Sequence, residues 1–232
     1  AIRRQRQMCI RDSLDSVFTL AHEMGHAMHT YYSNEHQRIT YAGYLIFVAE
    51  VASTCNESLL MHYMLEHCED ENERKYLMTH FLDGFRTTLF RQAQFAEFEH
   101  IAHRKMQKGE PVTKDVLNEL WHELNVQYYG PDMRVDDEIS YEWMRIPHFY
   151  TPYYVYQYST GYSAAVAFSK KILEEGKPAV DKYIGNFLCG GCSKNPIELL
   201  KSAGVDMSTP KPVDDALNVF EDYLKQFEAA TK

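Results

Sequence analysis

A chain of 232 residues that is 45% hydrophobic can bury a full core, so one domain or one large lobe is expected. The formal net charge is −9, with lysines and arginines scattered rather than striped, which argues against nucleic acid as a partner; no apolar run approaches the roughly 20 residues needed to cross a bilayer, which argues against a membrane. Five cysteines at irregular spacing, in a chain long enough to fold without staples, fit a reducing, cytoplasmic compartment.

Residues 1–13, AIRRQRQMCIRDS, carry four arginines and neither a helical nor a strand period. The run Met8 to Ser13 is also what results from translating a transposon mosaic-end adapter used in sequencing libraries. The expectation is that 1–13 is a non-native leader left by sequence assembly, a disordered basic leader being the alternative. The native part is then 14–232, and setting aside the leader's four arginines and one aspartate moves the net charge from −9 to −12. Conclusions drawn from Leu14 onward would then concern the C-terminal part of a longer protein.

From Leu14 to about Ser33 apolar residues recur at helical spacing, with Asp15 or Ser16 as candidate N-cap. Asn34 to Gly43 is polar and turn-like, and Tyr44 to about Cys68 reads as a second long helix carrying Glu50 and Glu57. After an acidic break at Glu69 to Asn72, a third helix is expected from about Glu73 to Met106, with a kink near Gly84 and a stop at Lys108-Gly109-Glu110-Pro111. Thr113 caps a fourth helix to about Tyr128, and Tyr129 to Thr151, broken by Gly130-Pro131 and Ile146-Pro147, reads as a long ordered loop. Helical spacing resumes from Tyr153 to Glu175, from Pro178 to Leu188, from Pro196 to Ser202 and from Val213 to Phe227. Strand patterns, β-α alternation and repeats are missing, so the expected class is all-α with little or no β structure.

The first helix contains His22-Glu23-Met24-Gly25-His26. Residues at i and i+4 lie about 40° apart around a helix, so both imidazoles can reach one metal ion from one face, while Glu23 can address a water on that metal without ligating it. A five-residue string of this kind recurs by chance, so a third ligand decides its weight. The extended histidine pattern would require a glycine at 29 and a histidine at 32, whereas the chain has His29 and Tyr32. A glutamate from the next helix is the other solution, and Glu50 lies 24 residues after His26, far enough for the chain to turn and return. Its flanks, Phe47-Val48-Ala49 and Val51-Ala52, are apolar, and a carboxylate embedded there without a partner would be costly. Glu57, two turns on, either orients a liganding histidine or is an ordinary salt-bridged glutamate. His29 is read as a packed neighbour outside the metal set.

The runs VFTLAHEMGHAMHTYYS and FVAEVASTCNES, together with YEWMRIPHFYTPYYVYQYSTGYSAA and FLCGGCSKNPIELLKSAGVDM, resemble the oligoendopeptidase F group of the thimet oligopeptidase family of zinc metallopeptidases. The resemblance covers nearly everything after Ser13 and implies a zincin-like helical catalytic lobe. It implies that His22, His26 and Glu50 bind one zinc ion and that Glu23 is the general base, in agreement with the spacing. It further implies a late histidine and tyrosine that assist catalysis: His148, with Tyr154 favoured and Tyr158 second as oxyanion donor among Tyr153, Tyr154, Tyr156 and Tyr158, of which at least two otherwise read as aromatic core. The implied activity is hydrolysis of internal bonds in short peptides, in a channel whose other wall comes from an N-terminal part of the same protein. An inactive zinc-binding helical fragment and a related zinc carboxypeptidase or dipeptide-releasing enzyme are the competing readings. Cys189-Gly190-Gly191-Cys192 lacks a second cysteine pair and is read as a small-residue turn.

Overall fold

The structure, a computed structural model, describes residues 13–231, so all but Ser13 of the expected leader lies outside the described residues. Ser13 has extended backbone and N-caps α1 (Leu14–His36), its hydroxyl accepting the Ser16 amide at 3.2 Å. Asp15 and Ser16 are already helical, so neither is the cap. Helices α2 (Ile46–His67) and α3 (Glu71–Gly84) follow, with Asp70 accepting from the amides of Asn72 and Glu73 at the start of α3. The expected kink near Gly84 is a π-helical segment, Phe85–Phe90, that separates α3 from α4 (Arg91–Gln107). Then come α5 (Lys114–Tyr129), two 3-10 helices (Asp137–Arg145 and Pro147–Tyr150), α6 (Tyr156–Glu175), α7 (Lys177–Lys182) with a π segment Tyr183–Leu188, α8 (Pro196–Ser202) and α9 (Lys211–Thr231). No strand occurs among the described residues, in keeping with the all-α expectation, and no helix among them is long and apolar enough to cross a membrane.

The described residues divide into two compact units, one formed by 13–84 together with 160–231, the other by Phe85–Ser159. At the centre of the first unit is α2, of which Val48, Val51, Ala52, Cys55 and Met61 are all buried. The small residues Gly161, Ser163, Ala164, Ala165 and Ala167 make the buried face of α6, and Phe168, Phe187, Leu199 and Leu200 complete that core. Where hydroxyls enter it they are paired, as Ser58 and Ser169 are at 2.8 Å.

The second unit is built on Trp121, fully buried among Phe95, Phe98 and Phe149. Its two 3-10 helices occupy the stretch expected to be loop. Trp143, Ile146 and Phe149 anchor them to this core, and the Trp143 indole donates to Asn118 Oδ1 at 2.9 Å. Short 3-10 turns carry no 3.6-residue period, which is why the sequence pattern there reads as irregular.

The connection from α1 to α2 is held from a distance in sequence. Ser33 Oγ donates to Ala42 O, Gln37 Nε2 donates to Cys189 O at 2.7 Å, and the Cys192 amide donates to Tyr41 O at 2.9 Å. Cys189 to Cys192 is therefore a clasp on that connection. Gly191 sits at φ +51°, and a Cβ there would lie 2.1 Å from Tyr41 O. Gly191→Ala should lower the denaturation midpoint by several degrees in a thermal melt, since backbone strain and clash act together.

Candidate metal centre

Helices α1 and α2 cross at Gly25. A Cβ on it would lie 2.5 Å from Ser53 Cα and 2.7 Å from Ala52 O, so only glycine permits this approach. The facing pairs run in opposite directions along α1 and along α2 with the residues leading into it: Asn56 Nδ2 donates to Ala21 O at 3.0 Å, Gly25 meets Ser53, and Thr30 Oγ1 bonds Tyr44 Oη, two residues before α2, at 3.0 Å. The helices are thus antiparallel, as a short connection requires. That register sets Glu50 and Glu57 opposite the two histidines of α1.

Three donor atoms converge. His22 Nε2 lies 3.1 Å from His26 Nε2 and 3.2 Å from Glu50 Oε2, and His26 Nε2 lies 3.4 Å from the same oxygen. Among the described residues this is the group of histidine, cysteine and carboxylate side chains close enough to hold a metal ion. The point equidistant from the three atoms is roughly 1.9 Å from each, close to the ~2.0–2.2 Å of zinc bonds to nitrogen and carboxylate oxygen, so these three side chains would hold such an ion between them. Two imidazoles and one carboxylate, with a side left open, suit zinc. The residues present fit the ion.

His22 Nδ1 lies 2.6 Å from Glu57 Oε1. A carboxylate only accepts, so Nδ1 carries the proton, and Nε2 is the atom aimed at the shared point. Both options the sequence left open describe this contact, which orients the His22 ring and is an ion pair when that ring is protonated. Glu57→Ala should weaken metal affinity roughly 10- to 100-fold in a chelator-competition titration while leaving the helical circular dichroism unchanged. Without a metal, the hydrogen bonds from Glu50 first and Glu57 second push the His22 pKa up to about 10 against partial burial. The bond to His22 likewise holds the Glu50 carboxyl below its usual value.

Glu50 differs from expectation in its surroundings. Its backbone lies in the buried run from Val48 to Ala52, yet its side chain is 37% exposed and reaches out of the core to the histidines. Ser53 Oγ lies 3.0 Å from Glu50 O and 3.1 Å from Glu50 Oε2, so its hydroxyl can steady the carboxylate it neighbours. Glu23 is exposed on α1, next to His22. His29 stays out of the metal group: it is fully buried, stacked on Tyr44 with ring centroids 3.8 Å apart, and burial pushes its pKa down to about 4.

His148, Tyr154 and Tyr158 gather in the second unit. The His148 and Tyr154 rings are nearly parallel at 5.8 Å, the Tyr158 ring stands on edge to both, and Tyr158 Oη donates to Tyr154 Oη at 3.3 Å. The four tyrosines do not all begin a helix. α6 starts at Tyr156, and Tyr153 precedes it in a left-handed conformation, φ 56°, with its amide donated to buried Glu99 at 2.6 Å. This turn, rather than helical i, i+4 spacing alone, brings Tyr154 beside Tyr158. Sequence reasoning passed over Ser53, Asn56 and Glu99. None carries a motif, and only Ser53, three residues from Glu50, offers even a spacing signal.

The model for Peptidase family M3 matches residues 12–219. The chain is 54% identical to the oligopeptidase PepF of Bacillus subtilis over 217 residues, covering 94% of this chain and 32% of that protein. It is 44% identical to an oligoendopeptidase F homolog of Lactococcus lactis, covering 94% of this chain and 36% of that one. The crystal structure of oligoendopeptidase-F from Enterococcus faecium superposes with a TM-score of 0.85 at 47% identity, over 94% of this chain and 39% of that chain. This chain therefore spans about a third of the length of the relatives it matches. With its convergent histidines and glutamate on an all-helical frame and a family match across most of its length, the chain belongs to peptidase family M3.

Proposed function

We propose that the chain carries the catalytic residues of a zinc endopeptidase that hydrolyses internal bonds of short oligopeptides in the cytoplasm. The observation that carries this reading is the convergence of His22 Nε2, His26 Nε2 and Glu50 Oε2 within 3.4 Å of one another, one residue from exposed Glu23. Bound there, a single zinc ion supplies Lewis acidity that polarises a carbonyl and acidifies water. The two histidines and Glu50 hold the site, and Glu57 keeps His22 in the liganding tautomer. Glu23 takes the proton from the attacking water and passes it to the leaving amine. The resemblance gives Tyr154, with Tyr158 second, the role of donor to the developing oxyanion, with His148 assisting; within their own unit Tyr154 accepts from Tyr158 and His148 lies beside it.

The test uses an internally quenched oligopeptide. Cleavage that is lost with a chelator, restored by zinc and abolished by Glu23→Gln at unchanged metal content supports the proposal, provided that mass spectrometry finds cuts away from both peptide ends. Products released only as terminal residues or dipeptides would favour the carboxypeptidase or dipeptide-releasing reading. The chain's span of about a third of its relatives favours a second reading, an inactive helical fragment that still binds zinc. Stoichiometric zinc without turnover would establish that one.

A further inference from the structure

Burying a carboxyl is costly unless its oxygens are bonded, so the partner of a buried one shows what it is kept for. Glu99, on α4, is 5% exposed, and its Oε1 accepts the Tyr153 amide at 2.6 Å. His103, one turn on, has its Nε2 3.9 Å from the same oxygen and its ring 5.0 Å from that of Tyr153. Among the described residues other than glycine, Tyr153 alone has a left-handed φ, 56°. A Cβ makes that region unfavourable, so something must hold the backbone there. Burial of the side chain does not, since Tyr153 is 45% exposed.

The ends of the turn are anchored elsewhere. Phe149 packs on Phe98 with ring centroids 5.3 Å apart, and Val155 is buried in the same core. Between those anchors, Glu99 grips the backbone at the position where it is left-handed. His148 precedes that position by five residues, Tyr154 follows it by one and Tyr158 by five. With Tyr153 in ordinary helical or extended backbone the chain would leave the turn in another direction. Tyr154 would then part from the His148 ring and the Tyr158 hydroxyl that it meets.

We infer that Glu99 is the positioning residue of the His148, Tyr154 and Tyr158 group, holding Tyr153 in left-handed backbone so that Tyr154 is presented beside the other two. This rests on the role the resemblance gives Tyr154. Glu99 touches no reacting atom and acts through the Tyr153 amide alone.

Three variants test it. Glu99→Leu removes the acceptor, and Glu99→Gln keeps a carbonyl that can take the amide. Glu99→Leu combined with Tyr153→Gly supplies a residue that adopts left-handed backbone without a tie. Geometry is read by nuclear magnetic resonance, as the Overhauser contact between the Tyr154 and Tyr158 rings, whose centroids are 5.5 Å apart. Glu99→Leu should abolish the contact, and the other two variants should restore it. Cleavage of the quenched oligopeptide by the zinc-loaded chain is read beside it. Glu99→Leu should lower kcat about 100-fold, the lower end for a lost oxyanion donor, with KM and zinc affinity within about twofold. Glu99→Gln should recover most of that loss and the double variant part of it. A ring contact that persists in Glu99→Leu overturns the inference. So does a loss that neither rescue restores, or a Glu99→Leu chain without helical circular dichroism, since either makes Glu99 a packing residue only. Wild-type chain that binds zinc without turnover would sink the proposed function, while the ring contact would still decide this inference.

Discussion

Gly25→Ala is expected to cost the centre at least 100-fold in zinc affinity, although position 25 contributes no ligand. The added methyl would meet three backbone atoms of the Ala52–Ser53 peptide, Ser53 Cα, Ala52 O and Ser53 N, and none of these can rotate away as a side chain would. Relief requires α2 to move off α1. That displacement carries Glu50 away from His22 and His26, and Glu57 away from His22 Nδ1, so a ligand and an orienting bond are lost together. Overpacking at such a contact costs about 1–3 kcal/mol of stability besides. A competition titration reads the first effect and a thermal melt the second. Gly43→Ala is the reference, since a Cβ there meets nothing within 4 Å. An alanine variant that kept wild-type zinc affinity would mean that the crossing does not set the ligand geometry.

Metal uptake should be strongly pH-dependent, for a reason written into His22. In the metal-free site its imidazolium is held between Glu50 and Glu57 with a pKa of about 10, so a metal ion must displace a proton from Nε2. Apparent affinity should therefore weaken by up to about tenfold for each unit the pH is lowered below 10, and zinc binding at neutral pH should release close to one proton from this residue. Calorimetry in buffers of different ionisation enthalpy measures that proton directly.

The metal-free chain should respond in the opposite sense. The folded pKa of His22 lies above the unfolded value of 6.5, so its contribution to stability is complete below 6.5 and is lost as pH rises toward 10. His29, buried and neutral with a folded pKa of about 4, contributes stability that is complete above 6.5 and is lost as pH falls toward 4, on the order of 3 kcal/mol. From these two groups, metal-free stability should peak near pH 6.5. Saturating zinc should remove the alkaline decline and leave the acid one. A metal-free melting profile that climbed steadily to pH 9 would contradict the His22 assignment.

The convergence of His22, His26 and Glu50 was legible because helical periodicity converts directly into geometry. His22 and His26 are one turn apart, and the distance to Glu50 leaves room for one reversal of the chain. The class was legible for the same reason, since long 3.6-residue patterns dominate. What stayed hidden depends on contacts with no period. The 3-10 helices from Asp137 to Tyr150 are held by Trp143, Ile146 and Phe149 in an aromatic core, not by local propensity. The π segments at Phe85–Phe90 and Tyr183–Leu188 each add a residue to a turn, which a pattern of apolar positions does not register. Tyr153 takes its left-handed backbone with its amide bound to Glu99, 54 positions away, so the sequence places the start of α6 three residues early. Glu50 reads as embedded because its neighbours are apolar, yet a side chain can leave a buried backbone by its own length.

The clasp formed by Cys189 to Cys192 bears on how the candidate centre would gain and lose a metal ion. Bringing the segment between His26 and Glu50 to closure in a free chain would cost on the order of 3 kcal/mol of entropy. Here that entropy is surrendered on folding: Gln37, Tyr41 and Ser33 pin the reversal, and the core of α2 holds the far end. A metal ion would meet a preorganised site rather than create one, in contrast to small zinc domains that are unfolded without metal. Stripping and reloading should then be cycles of occupancy and not of folding. The helical circular dichroism should stay constant through repeated chelation and zinc return, with each reloading complete at the pace of encounter rather than of refolding.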